Sequence, residues 1–364
     1  MLAPLFFIFL GALVGFVIVK KDRLAELFSS GIEPGRSVFD SDYLYIVILT
    51  MLSYYPLSVV LSYIFSTQLI EFSFLGLYIY FILPTLIAGI IYTVAYASIW
   101  FGTVENNGVV AVFGMFIAVM FGAFFSTYLA TGLNPNTEVI REVYGYYVDV
   151  ALDILTLVST MAVLPVIQRF IEYAYTIFKN NLFVALRGAT FAAIGGLFGV
   201  GTLMALIPLF TSATVAGLFG GLLLRNNIEN AISSFVALIA VLGVPPFWHT
   251  FYEFAAFGLI AGSIGMAVYS IVSKQEKRFK FSTSGIVVGS LVLLFGAFNE
   301  VTVSTSFASI VRSILDFSPV ISDITVDANY VIVFILSWVA VLFAAVIVTY
   351  FTELIVKFTE EVSV

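Results

Sequence analysis

The 364-residue chain contains no cysteine and a single histidine, His249. Disulfides, thiolate zinc sites and iron–sulfur clusters are thereby excluded. Bis-histidine haem ligation and the two-histidine HExxH zinc motif fall for the same reason. No metal and no cofactor is expected. Charge is scarce too: Asp, Glu, Lys and Arg make up 10% of the residues, against about 25% in an ordinary soluble domain. The 15 basic residues are scattered and the net charge is −7, so no basic face is offered to nucleic acid. The sequence also lacks GxxxxGK[ST], so there is no P-loop.

Apolar residues occupy the space that charge leaves. They form 61% of the chain, and the mean hydropathy is +1.11. No water-soluble fold hides so much apolar surface, so the chain reads as an all-α, polytopic membrane bundle forming one transmembrane domain. Its apolar runs are continuous rather than alternating, which disfavours a lipid-facing barrel. Eleven windows are read as helical crossings: 2–19, 43–65, 75–97, 109–131, 145–167, 184–209, 212–224, 230–247, 251–273, 284–299 and 329–351. The seventh and tenth are short. Lys20, Lys21 and Arg23 follow the first run instead of preceding it, so that run is expected to remain as a span and not to act as a cleaved signal.

With the N-terminus outside and the C-terminus cytoplasmic, thirteen of the 15 basic residues fall on cytoplasmic segments; Arg141 and Arg312 lie outside. The positive-inside rule predicts such a bias. A prokaryotic, by composition archaeal, cell (plasma) membrane is the expected location. The aqueous parts are small: a charged loop at 20–42, an interfacial helix at 168–186, and an outer loop at 300–328 where Arg312 and Asp316 are spaced to pair.

The stretch Gly195 to Gly221 reads GGLFGVGTLMALIPLFTSATVAGLFGG. Its length suits two tightly opposed crossings turning at TSAT (211–214), with Gly195 and Gly199 facing Gly217 and Gly221. Small residues let helix backbones approach in lipid, where the hydrophobic effect between helices is weak. Gly11 and Gly15, Gly258 and Gly262, and Gly285 and Gly289 repeat the spacing. Glycine as a packing surface is the plain reading of this zipper-like pattern; a re-entrant hairpin lining a path is the alternative.

Charged side chains inside a membrane are costly and usually functional. Asp149 and Asp153 lie four apart, on one helical face of the fifth window. They are the leading candidates for an ion or solute path, with Glu253 at the start of the ninth window as a third. Arg187 is expected to snorkel to cytoplasmic headgroups. The cluster Tyr144–Tyr147, with Tyr43, Tyr45 and Trp100, is expected to anchor span ends in an aromatic belt. Enzymatic signatures fail: Ser263 in AGSIG has only His249 as a histidine base, about 20 Å away along one helix. Asp149 and Asp153 share a helix, unlike an intramembrane aspartyl pair.

Two functions fit. One is a permease-like transporter of a small or apolar solute, proton- or cation-coupled through the acidic residues. Spans one to five and six to ten would then start from opposite sides, as in an inverted repeat. The other is a non-catalytic subunit scaffolding a larger membrane complex. Membrane lipids are partners in both; further membrane subunits or a second copy belong to the second.

Overall fold

The computed structural model describes residues 3–33, 40–74, 77–105, 109–134, 136–161, 167–233, 248–274, 285–298 and 300. The expected crossing at 329–351, the outer loop beyond Glu300, the basic run after Lys274 and most of the 230–247 window lie outside them. Described in chain order are α1 (Ala3–Ser30), α2 (Ser41–Phe65), β1 (Leu69–Phe74), β2 (Leu77–Ile82), α3 (Leu83–Ala95), α4 (Ala97–Glu105), α5 (Val109–Leu133) and α6 (Thr137–Met161). They continue with α7 (Ile167–Gly196), α8 (Gly201–Met204), α9 (Leu206–Ser233), α10 (Trp248–Val272) and α11 (Gly285–Phe298).

The fold is helical, as the composition requires. Four of these helices are long and apolar enough to cross a membrane: Pro4–Ser30, Ser41–Phe65, Ala111–Leu133 and Tyr252–Val272. The pair α3–α4, bent by 41°, makes a fifth if taken as one broken span. Shorter apolar stretches occur at Leu206–Leu222 and Gly285–Phe298.

Residue pairs set the directions of the helices. Arg23 on Asp42 and Phe9 on Tyr55 make α1 and α2 antiparallel. Gly114 lies against Tyr43 and Gly122 against Thr50, so α2 and α5 run parallel. Gly217 beside Thr127 and Gly221 beside Thr131 align α9 with α5. Gly258 on Phe116 and Gly262 on Phe113 set α10 antiparallel to α5. Asn181 on Glu253 and Gly196 on Gly265 run α7 parallel to α10. One end of the bundle therefore gathers Lys20, Lys21, Arg23, the starts of α2 and α5, and Lys274 beyond α10. At this basic end the Arg23 guanidinium grips the fully buried Asp42 carboxylate, with Nη2 2.5 Å from both oxygens and Nε 2.9 Å from Oδ1.

The glycine-flanked hairpin exists, but its turn lies elsewhere. The TSAT residues are helical, inside α9, and the reversal comes at Leu197–Val200, where Gly199 has φ +77°. Pro208 sits in the first turn of α9, where its missing N–H costs nothing. The expected interfacial helix at 168–186 and the span from 184 are one continuous 30-residue α7. This helix runs toward the basic end, opposite to the expected sixth crossing. The glycine partners change accordingly. Gly195 meets Met204 at the foot of the hairpin, while Gly217 and Gly221 meet α5 through the carbonyls of Phe124 and Tyr128. Gly285 and Gly289 lie on Ser263 and Ile260, whereas Gly11 and Gly15 have nothing within 4 Å.

The expected third window, 75–97, is only partly helical. LIEFSF and LYIYFI pair as an antiparallel hairpin, Leu69 opposite Ile82 and Phe74 opposite Leu77. Aromatic and β-branched residues favour strands, and Pro84 in the first turn fixes where α3 begins.

Two outcomes follow. Gly217→Leu is expected to lower stability by about 1–3 kcal/mol, the usual cost of overpacking, whereas Gly15→Leu leaves it unchanged; thermal unfolding in detergent measures both. Ser29→Cys and Asn180→Cys, single thiols in a chain without cysteine, are expected to react with an impermeant maleimide from opposite sides of the membrane. Labelling from the same side would restore the sixth crossing's expected direction.

Candidate functional site

The most polar part of the interior lies midway along the helices. Tyr54, near the centre of α2, is fully buried and its hydroxyl is 2.5 Å from Thr214 Oγ1 of α9. One turn away, Thr50 pairs with Tyr96 at 2.7 Å and Ser53 with Tyr92 at 2.6 Å, joining α2 to α3 and its end. The Thr85 hydroxyl of α3 stands by both Tyr54 and Tyr147. Tyr147 of α6 donates to Thr211 Oγ1 at 3.4 Å and accepts from the Ile82 N–H at 3.2 Å. These hydroxyls come from four helices and contain no ionised group.

Tyr55, Ser58 and Tyr144 complete the cluster, and their hydroxyls are buried. Ser58 stands by the hydroxyls of both Tyr54 and Tyr144, and the rings of Tyr55 and Tyr144 lie 6.5 Å apart. The Tyr55 hydroxyl has no hydrogen-bond partner among the described residues. A buried hydroxyl without a partner costs about 1–3 kcal/mol, so this one forms a standing demand for a polar guest.

Two interrupted elements deliver these groups. The β-hairpin brings the chain back on itself, Ile82 opposite Leu69, and α3 starts there, its first turn carrying Thr85 to Tyr54 and Tyr147. The Leu83 N–H is held by the Gln68 carbonyl at 3.0 Å. The second interruption is Gly145 in α6, at φ 30° and ψ −104°. Arg141 and Asp149 would stand about 12 Å apart along a straight helix; across this elbow they meet at 3.4 Å. The elbow turns Tyr144 and Tyr147 inward.

The acidic candidates are separated by the fold. The side chain of Asp149 is 63% exposed beside Arg141, and Asp153 is exposed further along the same limb. Neither lines the interior, because the elbow directs this face of α6 outward. Glu253 is different. It accepts a 2.5 Å hydrogen bond from Asn181 Nδ2 and interacts electrostatically with Glu300, just past α11. Glu253, facing an amide and a second carboxyl, thus has the kind of neighbour that was expected between Asp149 and Asp153. No group of three or more His, Asp or Glu able to hold a metal occurs among the described residues.

The aromatic belt also needs revision. Tyr43, Trp100, Tyr144 and Tyr147 are buried in protein, and only Tyr146 of the 144–147 cluster is exposed. Comparison with protein-family models, with curated proteins and with solved structures finds no match to this chain.

Thr214→Val and Tyr54→Phe each remove one side of a buried pair, and each is expected to cost about 1 kcal/mol. The double variant is expected to lose less than the sum, which a thermal-unfolding mutant cycle reads directly.

Proposed function

We propose that the chain is a permease-like membrane transporter of a small solute, with the hydroxyl cluster as its central site. The observation that carries this reading is the cluster of buried hydroxyls drawn from four helices, with that of Tyr55 left over, beside the first turn of α3. Transporters commonly place substrate sites near the bilayer midplane at such broken helices. In this reading Glu253, with Asn181 and Glu300, is the proton- or cation-coupling carboxyl. Asp149 and Asp153 are the other coupling candidates from the sequence, and their exposure argues against them. The basic end is cytoplasmic and the N-terminus outside, in a prokaryotic, archaeal plasma membrane. A total of eleven crossings with a cytoplasmic C-terminus is supported by the sequence pattern alone, and the reversed α7–α9 pair weakens the charge bias behind it.

A second reading has its own observation. Phe7, Ile8, Ile18 and Val19 of α1 are exposed, and Gly11 and Gly15 between them are open to approach. That face suits lipid, and it equally suits a helix of another subunit, as a scaffold in a larger complex would need.

Proteoliposomes offered radiolabelled carboxylates, amino acids and sugars test the first reading. The protein is expected to speed uptake of at least one class about 10-fold or more. Ser58→Ala and Tyr144→Phe are expected to cut that uptake about 10-fold, a transition-state loss of about 1.4 kcal/mol. Glu253→Gln is expected to abolish its pH dependence, with Asp149→Asn/Asp153→Asn leaving it in place. Uptake indifferent to every cluster variant would refute the central site.

A further inference from the structure

Arg187 lies on α7 between Asn181, which touches Glu253 at the start of α10, and Gly196, which touches Gly265. Six residues separate it from Asn181, about 9 Å along the helix. It is therefore inside the bundle's length and not at the cytoplasmic headgroup level where its place in the sequence would put it. Arginine at such depth seeks a partner. Its guanidinium carbon stands 4.9 Å from the centroid of the Phe183 ring, so one face is stacked. Its Nε is buried with no hydrogen-bond partner. No carboxylate is within ion-pair distance among the described residues: Arg141 takes Glu138 and Asp149, and Asn181 takes Glu253.

The β-hairpin and α6 meet beside Arg187. Phe191, one turn along α7, packs on Phe72 and Phe81 of the hairpin, and the Tyr147 hydroxyl of α6 accepts from the Ile82 N–H. The phenols of Tyr80 and Tyr146, next in sequence to Phe81 and Tyr147, act on the Arg187 charge. They are 37% and 44% exposed, so both phenols reach the outer surface of the bundle. An arginine presenting its Nε edge, flanked by phenol donors, matches an oxyanion that accepts two parallel N–H bonds.

We propose that Arg187, Tyr80 and Tyr146 form an oxyanion-binding site between α6, α7 and the β-hairpin, taking a carboxylate or phosphate group. The site goes beyond the transport reading and stands without it. It also adjoins the central cluster, because Tyr146 precedes Tyr147, whose hydroxyl holds Ile82 N and Thr211. The oxyanion has two sources, a soluble solute or a lipid headgroup.

The test uses the full chain in phosphatidylcholine nanodiscs, with thermal unfolding followed by tryptophan fluorescence. One arm titrates inorganic phosphate and acetate against chloride at constant ionic strength. The other replaces part of the lipid by phosphatidylglycerol. The protein is expected to be stabilised by several degrees in one arm, and that arm names the source. Arg187→Gln is expected to abolish the stabilisation, and Arg187→Lys, which keeps the charge and loses the planar edge, to weaken apparent affinity about 10-fold. Tyr80→Phe and Tyr146→Phe, which leave the cation in place, are expected to weaken it several-fold and serve if Arg187→Gln does not fold. Stabilisation in neither arm, or stabilisation that survives both Arg187→Gln and the two tyrosine variants, overturns the site. Solute uptake by the same variants is scored separately, so failure of transport leaves this result readable.

Discussion

A peptide surrounded by oil must satisfy every backbone N–H and C=O from within, and the rest of this structure depends on that constraint. Continuous helices meet it automatically. Two of the places where helix is interrupted adjoin the polar centre: the β-hairpin, whose first strand is exposed, and the elbow of α6. The β-hairpin pairs its own backbone, and the groups it leaves at its junction with α3 are taken by Gln68 and by the Tyr147 hydroxyl. The elbow at Gly145 lies between Tyr144 and Tyr147, both buried in the same interior. Irregular backbone and hydroxyl side chains are therefore found together because each supplies what the other lacks.

Around that polar centre the bundle is held by close approach. Helix α5 is its pillar, touching α2 at Gly114 and Gly122 and α9 at Gly217 and Gly221. On its other side the rings of Phe113 and Phe116 fill the space left by Gly262 and Gly258 of α10. At the foot of the α7–α9 hairpin, a Cβ on Gly201 would come within 2.7 Å of the Gly265 Cα, leaving room for no side chain. Such contacts replace the hydrophobic driving force that lipid removes. An ion pair with a fully buried carboxylate, Arg23 with Asp42, lies at the basic end, where α1 joins α2.

The helical class was legible in the sequence, because composition acts locally, whereas the glycine spacing did not say which helix, if any, each glycine would meet. What was missed depends on the third dimension. Hydropathy cannot separate LYIYFI as a strand from LYIYFI as the start of a span, since both are wholly apolar; its aromatic, β-branched content was the available signal. The turn of the hairpin was assigned to the polar TSAT, but a left-handed glycine ended the helix twelve residues earlier. That shift reversed α7 and moved Arg187 away from the headgroups. Asp149 and Asp153 looked buried because α6 was read as straight. Gly145 between two tyrosines was the only trace of its bend. The hydroxyl cluster was invisible in sequence, since Thr, Ser and Tyr at single positions of α2, α3, α6 and α9 carry no spacing that links them.

Ser53 and Thr214 donate to the carbonyls four residues back, Leu49 at 2.6 Å and Phe210 at 2.9 Å. A hydroxyl has one proton to give, so in the pairs Ser53–Tyr92 and Tyr54–Thr214 the phenol is the donor. In Thr50–Tyr96 either oxygen can donate. The core of the bundle is therefore largely polarised in advance: two phenol dipoles are set by the helices they lean on, and reversing them takes the breaking of a bond to the backbone as well as the turn of a proton.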